Sequence, residues 1–386
     1  MQLHIVDIQA VPLAAKWEQL FGGIENVPAS LLRPAAHFQS VPRLGQFSTI
    51  VYITASDGTI GIGECWGLPL SSVTATIVNH LFRPLLIGRD PRDIGPIWEM
   101  LIKSAESLGH TRGFMMDAIS GIDIALWDLE GKRRGQPLHE MAGGKLRDHI
   151  ACYASPIRFS DNTQDTIDNA REFTDLGFTA VKVKAGRTIE NDAAYIGAIR
   201  EALGPDIRIL IDFNCSFTVQ QTIEFAREVE QYNIFWFEEP LPPDHVDELA
   251  QIRKAINIPV STGENDFSVQ SFRLLAEKGA VDIINPNITR CGGITGLQRI
   301  QSVIEPHGVQ TALHGVGAGI MMSASLHMMS TLRNGLVMEY NRFLNPLRET
   351  LIEPAIAFKD GLLQVPDGPG LGCSLVEETI QTFAVL

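Results

Sequence analysis

The chain reads as an α/β protein built around a closed βα barrel, with a smaller segment of mixed character ahead of it. Three observations predict this. From about residue 149 the sequence takes on a rhythm of eight short apolar runs, at 149–154, 178–184, 207–212, 234–238, 258–263, 281–285, 309–313 and 335–339. Between most of them stand polar-apolar stretches of helical period, such as "TVQQTIEFAREVEQYN" and "FSVQSFRLLAEKGA". Strand, helix, strand at regular spacing argues for a parallel sheet, and eight strands argue for its closure. The span of roughly 210 residues fits the lower end of such barrels.

The elements ahead of the barrel differ in texture. Residues 2–13 alternate like a strand, and "STIVYITASDGTIGIGE" (48–64) reads as a hairpin with Asp57-Gly58 at its turn. Between them, residues 14–47 carry Gly22-Gly23, Pro28, Pro34 and Pro42, and a loop of that length in a compact domain is usually a functional lid or disordered. Helical patterns follow around 90–108 and over 114–135, the second ended by Gly135 and Pro137. After the barrel, "AIAFKDGLLQVPDGPGLG" reads as a hairpin and turn able to return to the N-terminal strands. There is no internal repeat and no low-complexity segment.

Composition narrows the function. The 386 residues are 45% hydrophobic and 20% charged, a balance that buries a substantial core. Acidic residues outnumber basic ones, 45 against 31, for a net charge of −14 without any basic stretch, which argues against nucleic acid. The five cysteines, Cys65, Cys152, Cys215, Cys291 and Cys373, form neither a CxxC pair nor a disulfide framework. No apolar run reaches membrane-spanning length, and "MQLHIVDIQAVPL" lacks the layout of a signal peptide. A reducing cytoplasm is the expected compartment.

In a βα barrel the chemistry sits at the C-terminal ends of the strands. The second run, within "GFTAVKVKAG", ends with Lys182 and Lys184, which alternation places on one face. The third ends with Asp212 and Asn214, the fourth with Glu238, the fifth with Glu264, the sixth with Asn287, the seventh with His314 and the eighth with Glu339. The three carboxylates are evenly spaced, since 238 − 212 and 264 − 238 are both 26. One βα unit separates each pair, so consecutive strands bring them together at the barrel mouth. Any one of them alone would pass as a helix cap or a loop charge. Three together cannot stay ionised without a cation, and an all-oxygen donor set favours Mg²⁺, with Mn²⁺ the nearest competitor.

The lysines would suit a surface edge strand, but both faces of a barrel strand are largely buried. Amines crowded by each other and by a dication are expected to have a depressed pKa, which a neutral amine base requires. His314, at a strand end opposite the lysines, is a candidate catalyst. Glu339 is a candidate too, or a holder of another side chain. "RCGGITG" (290–296) lacks a phosphate-loop layout and reads as a tight turn, and the methionines of "IMMSASLHMMSTL" read as helix packing.

The ordered set KxK, D-x-N, E-E-P, G-E-N, then a histidine and a glutamate, resembles the enolase superfamily, and more narrowly its mandelate racemase / muconate lactonizing branch. The resemblance covers nearly the whole chain, including "AISGIDIALWDLEGK" (118–132) and "VPDGPGLG" (365–372). It implies a (β/α)7β barrel over 126–359 and an α+β capping domain from residues 1–125, completed by 360–386. It implies Mg²⁺ on Asp212, Glu238 and Glu264, and Lys184 as the base that takes the proton α to a carboxylate. Lys182 would hold the enediolate charge and Asn214 would support the metal site. Glu339 would lie near the substrate carboxylate. Members of the branch are usually homo-oligomers, of which the sequence carries no independent sign.

The pattern departs from the family at Asn287, where racemases place an aspartate and lactonising or epimerising relatives a lysine. Asparagine cannot ionise, so it supplies no second base and cannot charge His314 as a carboxylate would. The expected activity is therefore Mg²⁺-dependent dehydration of an acid sugar, an aldonate or aldarate, with His314 as acid on the leaving hydroxyl. A lactone cycloisomerase, an epimerase or racemase, and a catalytically dead binding barrel are the alternatives. Arg33, His37 and Arg43 of the 14–47 segment, with Trp66, are expected to read the distal end of the substrate.

Overall fold

The structure, a computed structural model, describes residues 3–35, 41–157 and 162–385. Three strands, β1 (Ile5–Lys16), β2 (Gly45–Ala55) and β3 (Ile60–Trp66), form an antiparallel sheet in that order. The turn between β2 and β3 is the expected one: Gly58 takes φ 85°, and Asp57 accepts the Thr59 amide at 3.0 Å. β1 runs on past residue 13, and the stretch after it holds two short helices, Trp17–Phe21 and Ala29–Leu32.

The helix Phe114–Arg134 crosses from this cap toward the barrel without a break. It lies so close to β3 that a Cβ on Gly63 would stand 2.0 Å from the Gly121 carbonyl, and one on Gly61 2.1 Å from that of Ala125. Only glycine permits that approach. The helix is buried on nearly all sides, and two of its buried acids, Asp123 and Asp128, accept backbone N–H groups. Asp128 accepts from Ile62 of β3 at 2.8 Å and from Leu371 of the tail at 2.9 Å, while Asp123 accepts from Thr295 of the barrel at 2.9 Å.

The barrel strands are β4 (His149–Ile157), β5 (Ala180–Lys184), β6 (Arg208–Asp212), β7 (Ile234–Glu238), β8 (Val260–Thr262), β9 (Ile283–Ile284), β10 (Gln310–Thr311) and β11 (Met338–Asn341). All pair in parallel with their sequence neighbours through β10, and β11 returns to pair with β4. The last seam closes through Leu336 N–H to Thr311 O at 2.8 Å and Glu339 N–H to Leu313 O at 3.1 Å. Helices separate successive strands, giving the (β/α)7β order. Tyr153, Leu210, Trp236 and Ile283 fill the inside of the ring, and the larger core lies between strands and helices.

The tail hairpin does not join the N-terminal sheet. Its second arm, Leu362–Gln364, pairs antiparallel with β4, extending the barrel sheet at its start. The return to the cap is made by the last residues, where Ala384 bridges Leu13 and Val385 N–H donates to Pro12 O at 2.9 Å. No helix among the described residues is long and apolar enough to cross a membrane.

Candidate active site

Parallel register does the first part of the assembly. It sets Lys184 opposite Asp212, and Asp212 opposite Glu238, so three functional side chains leave neighbouring strands at one level. Glu264 follows β8 by a turn at Gly263, whose φ of 140° takes the chain over the mouth. Asp212, Glu238 and Glu264 each place an oxygen within 4.8 Å of the others.

Both lysines of β5 face this cluster. Lys182 Nζ lies 2.7 Å from Glu238 Oε1, 3.3 Å from Asp212 Oδ2 and 3.4 Å from Glu339 Oε1. Lys184 Nζ lies 2.5 Å from Asp212 Oδ2 and 2.9 Å from Asn214 Oδ1, and its side chain keeps 12% exposure where that of Lys182 keeps 1%. Both lysines line the smaller cavity, Lys184 with the greater exposure. With the carboxylate cluster free of a cation, Lys182 is held charged. Burial works against its charge, but Glu238, Glu339 and Asp212 outweigh it and hold the ammonium well above its usual pKa.

The acids carry the strain of their proximity. Burial, with Asp212 and Glu264 nearby, pushes Glu238 up to about 7 against the pull of Lys182. Burial and the same three carboxylates drive Glu239 well above the carboxylate range, where Asn265 Nδ2 donates to it at 3.0 and 3.1 Å. Burial opposes the charge of Glu339 as well, but Lys182 and His314 overcome it and hold that carboxyl down to about 2. Glu264 Oε2 is buried without a hydrogen bond, 3.0 Å from His314 Nε2. An oxygen-only cluster with an unsatisfied buried oxygen fits a divalent cation.

His314 and Asn287 stand across the mouth from Lys184. His314 Nε2 is also 3.6 Å from Glu339 Oε2, and its Nδ1 is 2.9 Å from Asn287 Nδ2. Burial disfavours the imidazolium, while Glu264 and Glu339 favour it and raise the pKa overall. The Asn287 contact pulls the other way, since it sets an amide N–H against Nδ1.

Two cavities, of about 530 Å³ and about 90 Å³, share Arg43, Trp66, Leu68, Asn214 and Glu264 in their walls. Arg43 is buried, donates to Gln46 Oε1 at 2.5 Å and is lowered to about 10, first by burial and then by Arg348. The Trp66 ring centroid lies 5.9 Å from that of His314. Arg33 is exposed at the end of its short helix and does not line either cavity, whereas Pro34 and Ala35 do. His37 lies outside the described residues.

Arg290 was not anticipated. It donates to Glu264 O at 3.0 Å and Asn265 Oδ1 at 3.1 Å, with its guanidinium 4.9 Å from the Trp66 ring centroid and 4.5 Å from that of Phe267. Its signal in the sequence was an arginine next to the "CGG" turn, which is the tight turn expected, with φ 88° at Gly292 and 75° at Gly293.

Residues 34–143 match the family described as mandelate racemase / muconate lactonizing enzyme, N-terminal domain, and residues 165–379 match the enolase C-terminal domain-like family. The chain belongs to the enolase superfamily, in its mandelate racemase / muconate lactonizing branch. It is 35% identical over 345 residues to D-galactarolactone cycloisomerase of Agrobacterium fabrum, covering 86% of this chain and 90% of that one. It is 29% identical over 334 residues to arabinonate dehydratase of Saccharolobus solfataricus, covering 86% and 89%. The crystal structure of 3,6-anhydro-D-galactonate cycloisomerase from Zobellia galactanivorans superposes with a TM-score of 0.87 at 30% identity, over 99% of this chain and all of that one.

Proposed function

We propose that this superfamily member is a Mg²⁺-dependent enzyme of acid sugars that removes the proton α to a carboxylate and expels an oxygen from the β carbon. The observation that carries it is that Lys184 and His314 line one cavity together with Glu264, whose carboxylate clusters with those of Asp212 and Glu238. A divalent cation held by those three residues would act as a Lewis acid on the substrate carboxylate and make the α-proton acidic. Lys184 Nζ takes that proton. Lys182, buried and charged, stabilises the enediolate, and Asn214 holds Lys184 in position through their 2.9 Å contact. His314 attends the departing oxygen from the other face. Arg43 and Trp66, in the cavity wall, bind the distal end of the substrate.

With hydroxide as the leaving group the enzyme is a dehydratase of an aldonate or aldarate. With a lactone oxygen it is a cycloisomerase, a reading favoured by the 35% identity to D-galactarolactone cycloisomerase. A dead binding barrel is disfavoured by the intact lysine pair and carboxylate set. Screening mono- and diacid sugars and their lactones for 2-keto acid release, detected with semicarbazide, tests the proposal. Turnover of at least one supports it, and silence across the panel counts against it. We also expect a homo-oligomer in solution, which size-exclusion chromatography with light scattering reads directly.

A further inference from the structure

Arg290 stands where three parts of the chain meet. It follows β9, and its side chain, 14% exposed, meets the loop after β8 and two residues of the cap. On the loop, Nη1 donates to Glu264 O at 3.0 Å and to Asn265 Oδ1 at 3.1 Å, and the guanidinium carbon lies 4.5 Å from the Phe267 ring centroid. From the cap, Trp66 at the end of β3 sets its ring centroid 4.9 Å away. Asp117 of the helix Phe114–Arg134, its side chain 1% exposed, sets Oδ1 3.4 Å from Nε.

An arginine side chain has donors only, so Asn265 must face it with Oδ1. That leaves Nδ2 for Glu239, whose two carboxylate oxygens it meets at 3.0 and 3.1 Å. Glu239 is next in the chain to Glu238, and Asn265 is next to Glu264. The contacts that fix this one amide therefore bear on two of the three clustered carboxylates. Without Arg290 the amide would lose the partner that sets its direction, and the Glu264 carbonyl would lose its donor.

We propose that Arg290 is a positioning residue that couples the seating of the cap to the affinity of the carboxylate cluster for a divalent cation. The inference rests on the cation site of the proposed function. Charge alone predicts the reverse effect, since a guanidinium repels a dication and its removal would tighten binding. What Arg290 supplies is direction. Its planar fork ties Glu264 O to Asn265 Oδ1, while the same flat group packs against one aromatic ring from the cap and one from the barrel. Partners of this kind around metal-ligating carboxylates are worth about 10–100-fold in metal affinity. The coupling is reciprocal, so cation binding must tighten the seat of the cap by the same factor that the cap tightens cation binding.

The test uses the full-length protein, stripped with EDTA, dialysed and titrated with MgCl₂ in a calorimeter without substrate. Arg290→Met should weaken Mg²⁺ binding by about tenfold or more. Arg290→Lys, which keeps the charge and loses the fork, should weaken it as well, and so should Trp66→Leu, which removes the cap's ring and leaves the barrel intact. Arg299→Met is the control. The Arg299 guanidinium lies 4.3 Å from the Trp98 ring centroid and pairs with Glu99 of the cap helix Ile94–Ser107. These three residues line a third cavity, which among the described residues none of the clustered carboxylates lines, so this variant should keep the wild-type affinity. Tighter or unchanged binding in Arg290→Met overturns the proposal, as does equal weakening in Arg299→Met. Unchanged binding in Trp66→Leu overturns the link to the cap. Should Arg290→Met fail to fold, Arg290→Lys decides by the same criterion. Hydrogen exchange gives a second readout: Mg²⁺ should slow exchange of the amides around Trp66 in the wild type and not in Arg290→Lys, and equal slowing in both contradicts the coupling. A wild type that binds no Mg²⁺ would remove the cation site and with it the proposed function, whereas wild-type binding with unchanged variants removes the role of Arg290 alone.

Discussion

Lys184 Nζ and Asp212 Oδ2 stand 2.5 Å apart on neighbouring strands whose register places the two residues directly opposite each other. The proposed base is thereby tied to the carboxylate cluster. Whatever alters the cluster's charge is felt at the amine, so in the proposed reaction proton abstraction and cation binding are coupled.

Cation binding should therefore be visible without substrate. Mg²⁺ at about 100 times its Kd should stabilise the wild type by roughly 2.7 kcal/mol through mass action, raising the melting temperature. Asp212→Asn should lose that rise. EDTA should abolish α-proton exchange, and Mg²⁺ or Mn²⁺ should restore it. A melting temperature indifferent to Mg²⁺ in the wild type contradicts the cation site.

Arg43 tests the distal end of the cavity. It is buried in the wall shared by both cavities, where a hydrogen bond from a charged group is worth about 1.5–3 kcal/mol. Arg43→Gln should raise KM about tenfold or more and change kcat much less. A fall confined to kcat would place Arg43 with the chemistry instead.

Much of this was legible because a parallel barrel converts even spacing into proximity. Asp212, Glu238 and Glu264 recur at one interval, and the register delivers them to one point. What stayed hidden depends on long-range partners. The direction of the Asn287 amide is set by Thr289 and Val316, and the stacking of Arg290 needs Trp66 from the cap and Phe267 from the barrel. The charge of Lys182 is set by Glu238, Glu339 and Asp212, acids that three other strands bring to it. The tail hairpin pairs with β4 through backbone hydrogen bonds, for which its own sequence names no partner.

Glu64 gives the protein a pH-dependent joint. From β3 it accepts the backbone N–H groups of Ala318 at 2.7 Å and Met321 at 2.8 Å, at the start of the barrel helix Gly319–Thr331. Burial pushes its carboxyl up from 4.5 to about 7, the backbone hydrogen bonds only partly opposing it. The folded state then holds a proton that the unfolded chain has lost, so stability falls as pH rises from about 4.5 to about 7. The fall is on the order of 3 kcal/mol at 1.36 kcal/mol per unit. Asp117 and Asp123 slope the same way, so the measurement is the difference between wild type and Glu64→Gln in urea unfolding. The variant should show a flatter pH dependence; an equal slope removes Glu64 as its source.

Gly63 reports on how the cap meets the helix beneath it. A Cβ there would stand 2.0 Å from the Gly121 carbonyl, a backbone atom that cannot swing away. Gly63→Ala should cost about 3 kcal/mol, the upper end for overpacking, and lower the melting temperature by several degrees. Gly58→Ala faces open space, so it should lose only what its positive φ of 85° costs. Equal losses at the two sites would contradict the close approach.

The central claim is that Lys184 takes the proton α to the substrate carboxylate. Incubation in D₂O with Mg²⁺ and a substrate identified by keto-acid screening, followed by NMR of the α position, measures that step. The wild type should give Mg²⁺-dependent loss of the α-hydrogen, through exchange or turnover, and Lys184→Ala should slow it by about 10³-fold or more. Loss of the α-hydrogen in Lys184→Ala within tenfold of the wild-type rate would contradict the account.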